Sequence, residues 1–225
     1  MINERHPDAV ILSGDIGENP QAWEQAKSIL SKLKSPIYYA PGNHDVHGND
    51  IERYRKAFGK DYYQFEVGFA TFAVIDSQLL GNYDVYEARS PLRLAPQAAN
   101  ESGEMLQWAS ELQRKEGSTN KILIGVQHIP ALRDGDFPPD FKPYWVISEP
   151  YRSQEIKVLR QLGIKHVLAG HWHNGRVFEG EGITWHVAPA TSWLPWGGEL
   201  GFAIHTINSN GEVKTELVAL PNATP

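Results

Sequence analysis

Residues 8–15 read DAVILSGD, an unbroken apolar run that stops on Gly14-Asp15. Continuous apolar runs, without polar alternation, are the mark of parallel strands covered on both faces. The pattern returns three times: residues 36–40 (PIYYA) before Pro41-Gly42, 121–126 (KILIGV) before Gln127-His128, and 165–169 (KHVLA) before Gly170-His171. Helical stretches lie between. Asn19 is a good N-cap and Pro20 a good first helical residue, after which Ala22, Ala26, Ile29, Leu30 and Leu33 share one face. Further helices are expected over 49–58, around Met105, Trp108, Ala109 and Leu112, and over 153–162 up to Gly163. Residues 62–65 and 70–76 predict an antiparallel pair turning at Gly68, and 81–100 reads as loop. The tail differs. Residues 176–178, 183–188, 201–208 and 212–219 read as strands without intervening helices, with Ser209-Asn210-Gly211 as a hairpin turn. Alternating strands and helices followed by a run of strands predict an α/β sandwich of two sheets with outer helices, in a single domain over 1–225.

Composition narrows the partners. With 41% hydrophobic and 21% charged residues, the 225-residue chain is globular rather than disordered or coiled coil. No Cys is present, which excludes disulfides, thiolate nucleophiles and cysteine-bound metals. A net charge of −6 argues against duplex nucleic acid or an anionic membrane as the main partner. No apolar run approaches the ~20 residues of a membrane span. Met1 to Asp8 has no apolar leader character, so the expected location is cytoplasmic. Ile2 to Arg5 reads as the last turn of a helix stopped at His6-Pro7, and the expectation is that a strand and most of a helix, about 30 residues, lie upstream.

The residues capable of chemistry sit where strands end. Asp15 follows the first apolar run, Asn43, His44 and Asp45 the second, His128 the third, and His171 and His173 the fourth. Ligands of open α/β sheets bind at the carboxyl ends of strands, so these side chains can converge on one crevice. Imidazole, carboxylate and amide oxygen together suit a divalent or trivalent transition metal. Singly each signal is weak; a Gly-Asp pair is most often a turn. Four in this order, each at a strand end, favour a metal site.

Gly14-Asp15, Gly42-Asn43-His44-Asp45, His128-Ile129-Pro130 and Gly170-His171-Trp172-His173 resemble the ordered motifs of the calcineurin-like metallophosphoesterase superfamily. Phe58-Gly59-Lys60-Asp61-Tyr62-Tyr63 and Asp76-Ser77-Gln78 are similar to the branch of calcineurin-like phosphoesterase domain-containing protein 1, which contains protein serine/threonine phosphatases. The resemblance implies a four-layer α/β/β/α sandwich of two mixed sheets, here expected to lack the first strand and most of the first helix. It implies two metal ions (Mn, Fe, Zn or Mg) and hydrolysis of a phosphate-ester substrate by metal-activated hydroxide. Asp15 would bridge the ions, Asn43, His128 and His171 would complete one site, and His173 would serve the other. His44 would act on the leaving group, with Asp45 orienting it. The first motif of the superfamily has no counterpart before Asp15, so the second site is short of ligands. A cyclic-nucleotide phosphodiesterase, or a weakly active or inactive metal-binding fragment, remains the alternative. Ile16, Gly17 and Glu18 stand where purple acid phosphatases need a Tyr, which speaks against that branch.

Three further expectations concern residues outside the motifs. The segment 130–150, with Arg133, Asp134, Asp136, Tyr144 and Trp145, either frames a substrate mouth or packs on the surface. Trp193 and Trp196, around Pro195, are expected in the core, the alternative being a second wall of the substrate mouth. His6, His166, His186 and His205 are expected to be structural.

Overall fold

The computed structural model describes residues 1–47, 50–81, 83, 96–112, 122–135, 142–194 and 197–221. Its largest sheet has six strands in the order β3-β4-β5-β6-β8-β7: β3 (Tyr63–Val67), β4 (Ala70–Val74), β5 (Ile122–Val126), β6 (His166–Ala169), β8 (Ile183–Val187) and β7 (Arg176–Gly180). The four inner strands β4, β5, β6 and β8 run parallel, and β3 and β7 close the edges antiparallel. The apolar runs at β5 and β6 therefore sit mid-sheet, where both faces are covered. Helices α3 (Pro96–Ser110) and α4 (Tyr151–Gln161) pack on one face, where Met105, Ile156 and Leu159 meet Val167 and Trp185.

The other face carries two short ladders. β1 (Val10–Leu12) pairs parallel with β2 (Ile37–Tyr39), and β9 (Gly201–Ile207) pairs antiparallel with β10 (Val213–Ala219). Ile11, Tyr38, Ile207 and Val213 pack against Phe65, Phe72, Val74 and Ile124 of the large sheet, with Tyr38 stacked on Phe65 at 3.6 Å. Beyond them lie α1 (Pro20–Leu30) and α2 (Ile51–Phe58), joined by the Trp23–Phe58 edge contact. The expected four layers are thus present.

Three local readings change. The second strand layer is two separate ladders rather than one continuous sheet. Val10, Ile11 and Leu12 are only half-buried, because among the described residues β1 has a ladder neighbour on one side alone. Helix α3 starts at Pro96, so residues 96–100, read as loop, are helical; Pro at the first position and two alanines favour this. Ile2–Arg5 forms a single 3-10 turn ended by His6 in the left-handed region. Asp136 and Trp196 fall outside the described residues.

Candidate metal centre

Three strand ends and one turn deliver the candidate residues to one place. Asp15 leaves β1, the Asn43-His44-Asp45 turn leaves β2, His128 leaves β5, and His171 leaves β6. Backbone bonds lock the exits together: Gln127 N–H donates to the Leu168 carbonyl and Gly170 N–H to the His128 carbonyl. The close approach demands glycine at two positions. A β-carbon at Gly42 would overlap Asp15 N and Oδ1, and one at Gly14, where φ is +97°, would meet the His128 ring.

The arrangement around His128 Nε2 carries the chemistry. Asp15 Oδ2 lies 3.1 Å away, Asn43 Oδ1 3.2 Å and His171 Nδ1 3.2 Å. The opposite nitrogen, His128 Nδ1, faces the Ser13 carbonyl oxygen and must carry the proton there. His171 Nε2 faces the Tyr144 carbonyl at 2.9 Å and must likewise be protonated. With those tautomers, His128 Nε2 and His171 Nδ1 present lone pairs toward the carboxylate oxygen of Asp15 and the amide oxygen of Asn43. Four lone pairs aimed at one point repel one another unless a proton on His128 Nε2 or a metal cation joins them. The donor set of two imidazoles, a carboxylate and an amide oxygen fits Zn, Mn or Fe. The Ser13 and Tyr144 carbonyls fix each ring from behind, the usual device for orienting metal-ligating imidazoles.

Electrostatics agree with this grouping. Burial raises the Asp15 carboxyl, but the neighbouring His128, His44 and His171 rings outweigh it and hold Asp15 below the usual carboxylate range. Burial lowers His128, yet the Asp15 charge and hydrogen bond more than offset it and the ring is raised. His171, buried and beside His128, is pushed down to about 3 and stays neutral at physiological pH, as a ligand must be.

The backbone here is strained. Asp15, His171 and His173 all lie in the left-handed region, with φ of 55°, 68° and 63°. Non-glycine residues held there cost about 1–3 kcal/mol each and concentrate at functional sites.

Among the described residues, Asp15, His128 and His171 form the group of His and acidic side chains whose ligand atoms lie within 4.8 Å of one another. His173 is outside it. Its Nδ1 faces the Trp193 carbonyl at 3.0 Å and its ring meets the Trp193 ring edge-on at 5.1 Å. Trp193 is 59% exposed, correcting the expectation of a core residue: it stands at the rim beside His173.

His44 and Asp45 serve different ends. His44 N–H donates to Asp15 Oδ1 at 3.0 Å, and its imidazole bridges Glu18 Oε1 (3.2 Å from Nδ1) and the Tyr144 hydroxyl (3.3 Å from Nε2). The carboxylate beside the His44 ring is therefore Glu18. Asp45, 4% exposed, accepts from the backbone N–H groups of Ile16, Gly17 and Gly42 and from Trp23 Nε1, pinning the Asp15 turn to its own. Burial and the Asp15 charge push Asp45 up to about 6.

Tyr144 is the main addition. Its hydroxyl accepts from Asn43 Nδ2 at 2.8 Å, and its ring lies 4.9 Å from that of His171. Within 130–150, Tyr144 and the adjacent Trp145, whose carbonyl accepts from Trp172 Nε1, border the site, and 136–141 lie outside the described residues. Nothing in the local sequence separates Tyr144 from the other aromatics of that segment. His166, His186 and His205 lie away from the centre, linked to each other and to Thr215, as structural residues.

A family model described as Calcineurin-like phosphoesterase matches residues 1–175. Among curated proteins, the Mus musculus serine/threonine-protein phosphatase CPPED1 is 29% identical over 183 residues, covering 74% of this chain and 54% of that protein. A probable cyclic nucleotide phosphodiesterase from Fibrobacter succinogenes is 24% identical over 194 residues, covering 82% of this chain and 64% of the relative. The chain thus spans about half the length of the phosphatases it matches. A solved dimetal phosphatase from Danio rerio superposes with a TM-score of 0.65 at 13% identity, covering 96% of this chain and 82% of the other; that likeness speaks to the fold.

Proposed function

We propose, since the chain belongs to the calcineurin-like phosphoesterase family, that it carries the centre of a metal-dependent phosphoesterase acting on phosphomonoesters or phosphoproteins. The observation that carries this reading is the meeting of lone pairs from Asp15, Asn43 and His171 at His128 Nε2. Asp15, Asn43, His128 and His171 would hold one ion; Asp15 and His173 would contribute to a second. Such ions supply a nucleophile from water at neutral pH and neutralise charge on the transferring phosphoryl group.

The remaining roles belong to the side chains. Asn43 Nδ2 and the Tyr144 hydroxyl stand together at the rim of the ligand cluster and would donate to phosphoryl oxygens. His44 Nε2 would give a proton to the leaving oxygen while Glu18 holds Nδ1, a step typically contributing ~10²–10⁴-fold. Asp45 keeps the Asp15 and Asn43 turns in register.

Elemental analysis of the purified chain, with turnover of p-nitrophenyl phosphate and a phosphoserine peptide, tests the proposal. Expected are bound transition metal and hydrolysis lost on chelation. A chain that takes up no Mn, Fe or Zn would refute it. Two alternatives have their own support. The Fibrobacter relative favours a cyclic-nucleotide diesterase, which a higher rate on cyclic AMP than on the monoesters would establish. The position of His173 outside the cluster favours a one-metal protein of little or no activity, which one ion per chain without turnover would establish.

A further inference from the structure

The proposed chemistry leaves the Asp76-Ser77-Gln78 motif unused, although all three side chains are buried. The motif forms a tight turn directly after β4. Asp76 Oδ1 accepts from Gln78 N–H at 2.8 Å and caps the single 3-10 turn Ser77–Leu80. The parallel ladder of β4 with β5 ends at the Val74–Val126 pair, with Ile75 N–H donating to the Val126 carbonyl. The turn therefore stands beside the exit of β5, where His128 leaves the sheet.

One contact joins the two. Ile129 N–H donates to Ser77 Oγ at 3.1 Å, across 52 residues of sequence. Ile129 is 0% exposed, so its N–H has no water to turn to, and a buried N–H left without an acceptor is costly. Gln78 Nε2 also donates to Ser77 Oγ, at 3.1 Å, and holds the hydroxyl in place. The Ile129 carbonyl accepts from Gln127 Nε2 at 2.7 Å, and the His128 carbonyl accepts from Gly170 N–H at 2.9 Å. The backbone on either side of the His128 ring is thus held by named donors and acceptors. The neighbours of the turn, Ile75, Leu79, Leu80 and Ile129, are apolar, so packing alone gives no reason for a hydroxyl here.

We propose that Ser77 is a positioning residue: by accepting from Ile129 N–H it fixes the strand exit that aims His128 Nε2 at the metal centre. The inference rests on the proposed reading of His128 as a metal ligand.

The test compares wild type, Ser77→Ala and Ser102→Ala, with Co(II) as probe. Ser102 is the control, a serine of α3 whose hydroxyl is likewise buried but has no partner. Affinity is read by calorimetry, ligand geometry by the Co(II) absorption bands, and folding by circular dichroism. Ser77→Ala should bind Co(II) about tenfold more weakly, the low end for residues that hold a metal ligand from behind, and its bands should shift. Ser102→Ala should match wild type in both. A folded Ser77→Ala with wild-type affinity and bands overturns the proposal. If Ser77→Ala does not fold, wild type decides alone. Coupling between two sites is reciprocal, so Co(II) must then slow exchange of the Ile129 amide hydrogen by about tenfold, and unchanged exchange overturns the proposal. If wild type binds no Co(II), the metal reading of His128 has failed separately. The imidazole NMR signal of His128 then decides, since Ser77→Ala must shift it and Ser102→Ala must not.

Discussion

Replacing Gly42 with Ala tests whether the centre depends on backbone approach as closely as its geometry implies. A β-carbon at Gly42 would overlap Asp15 N and Oδ1 and stand 2.9 Å from the Gly14 carbonyl carbon. Ordinary contact needs about 3.5 Å, so the Asp15 turn must retreat by about 1 Å. Backbone cannot yield as a flexible side chain would, and the two turns are also clamped by Asp45 through Gly42 N–H (3.0 Å), Ile16 N–H (2.9 Å) and Gly17 N–H (3.0 Å). Overpacking of this kind costs about 1–3 kcal/mol of stability. The effect on the centre should be larger in proportion. Metal–ligand distances tolerate only about ±0.2 Å, so a retreat of about 1 Å removes Asp15 from the ligand set. Metal affinity is expected to fall by about a hundredfold or more while the chain remains folded. Gly103→Ala is the control. It lies on the exposed side of α3 with nothing within 4 Å of an added β-carbon, and should stabilise the helix by about 0.5–1 kcal/mol without touching metal binding. Calorimetric titration with Mn(II) or Zn(II), beside urea unfolding of both variants, measures the two quantities. Gly42→Ala binding metal like wild type would show that the Asp15 turn is free to move, and the reasoning would be wrong.

Other perturbations probe the fold and the rim of the site. Arg55 forks onto buried Asp61 (2.9 Å to each oxygen) and reaches Glu101 at 3.0 Å, while Asp76 behind Asp61 is raised well above its usual range by burial and the Asp61 charge. Arg55→Ala leaves Asp61 without its cation and should cost about 3–5 kcal/mol in urea unfolding; a loss under about 1 kcal/mol would contradict this. Burial, reinforced by neighbouring imidazoles, pushes His186 down to about 3, and burial pushes His205 down to about 4. Their folded values lie below the unfolded value near 6.5, so this contribution is fully present above about pH 6.5 and is lost as pH falls through about 4 and then 3. Unfolding free energies at pH 7, 5 and 4 should decline in that order, and Thr215→Val, which removes the shared hydroxyl between the two rings, should change the slope. Tyr144→Phe deletes a hydroxyl bound to Asn43 and His44; at about 1 kcal/mol, turnover of p-nitrophenyl phosphate should fall about fivefold with metal content unchanged. Equal rates would remove Tyr144 from the site's working parts.

The order of motifs along the chain and the elements that carry them were legible before any coordinates. Each depends on neighbours in sequence: an apolar run such as Ile122–Val126 builds its own strand, Asn19-Pro20 starts its own helix, and a polar residue directly after a strand must emerge at its end. Contacts between distant segments were not legible. Glu18 rather than Asp45 flanks the His44 ring, Tyr144 reaches Asn43 across 101 residues, and Trp193 stands exposed beside His173. These follow from strand order and the packing of two layers, which bring β1, β2, β5 and β6 together whatever their separation in sequence. Local propensity acts over a few residues, whereas the convergence of lone pairs at His128 Nε2 is a property of the folded layers alone.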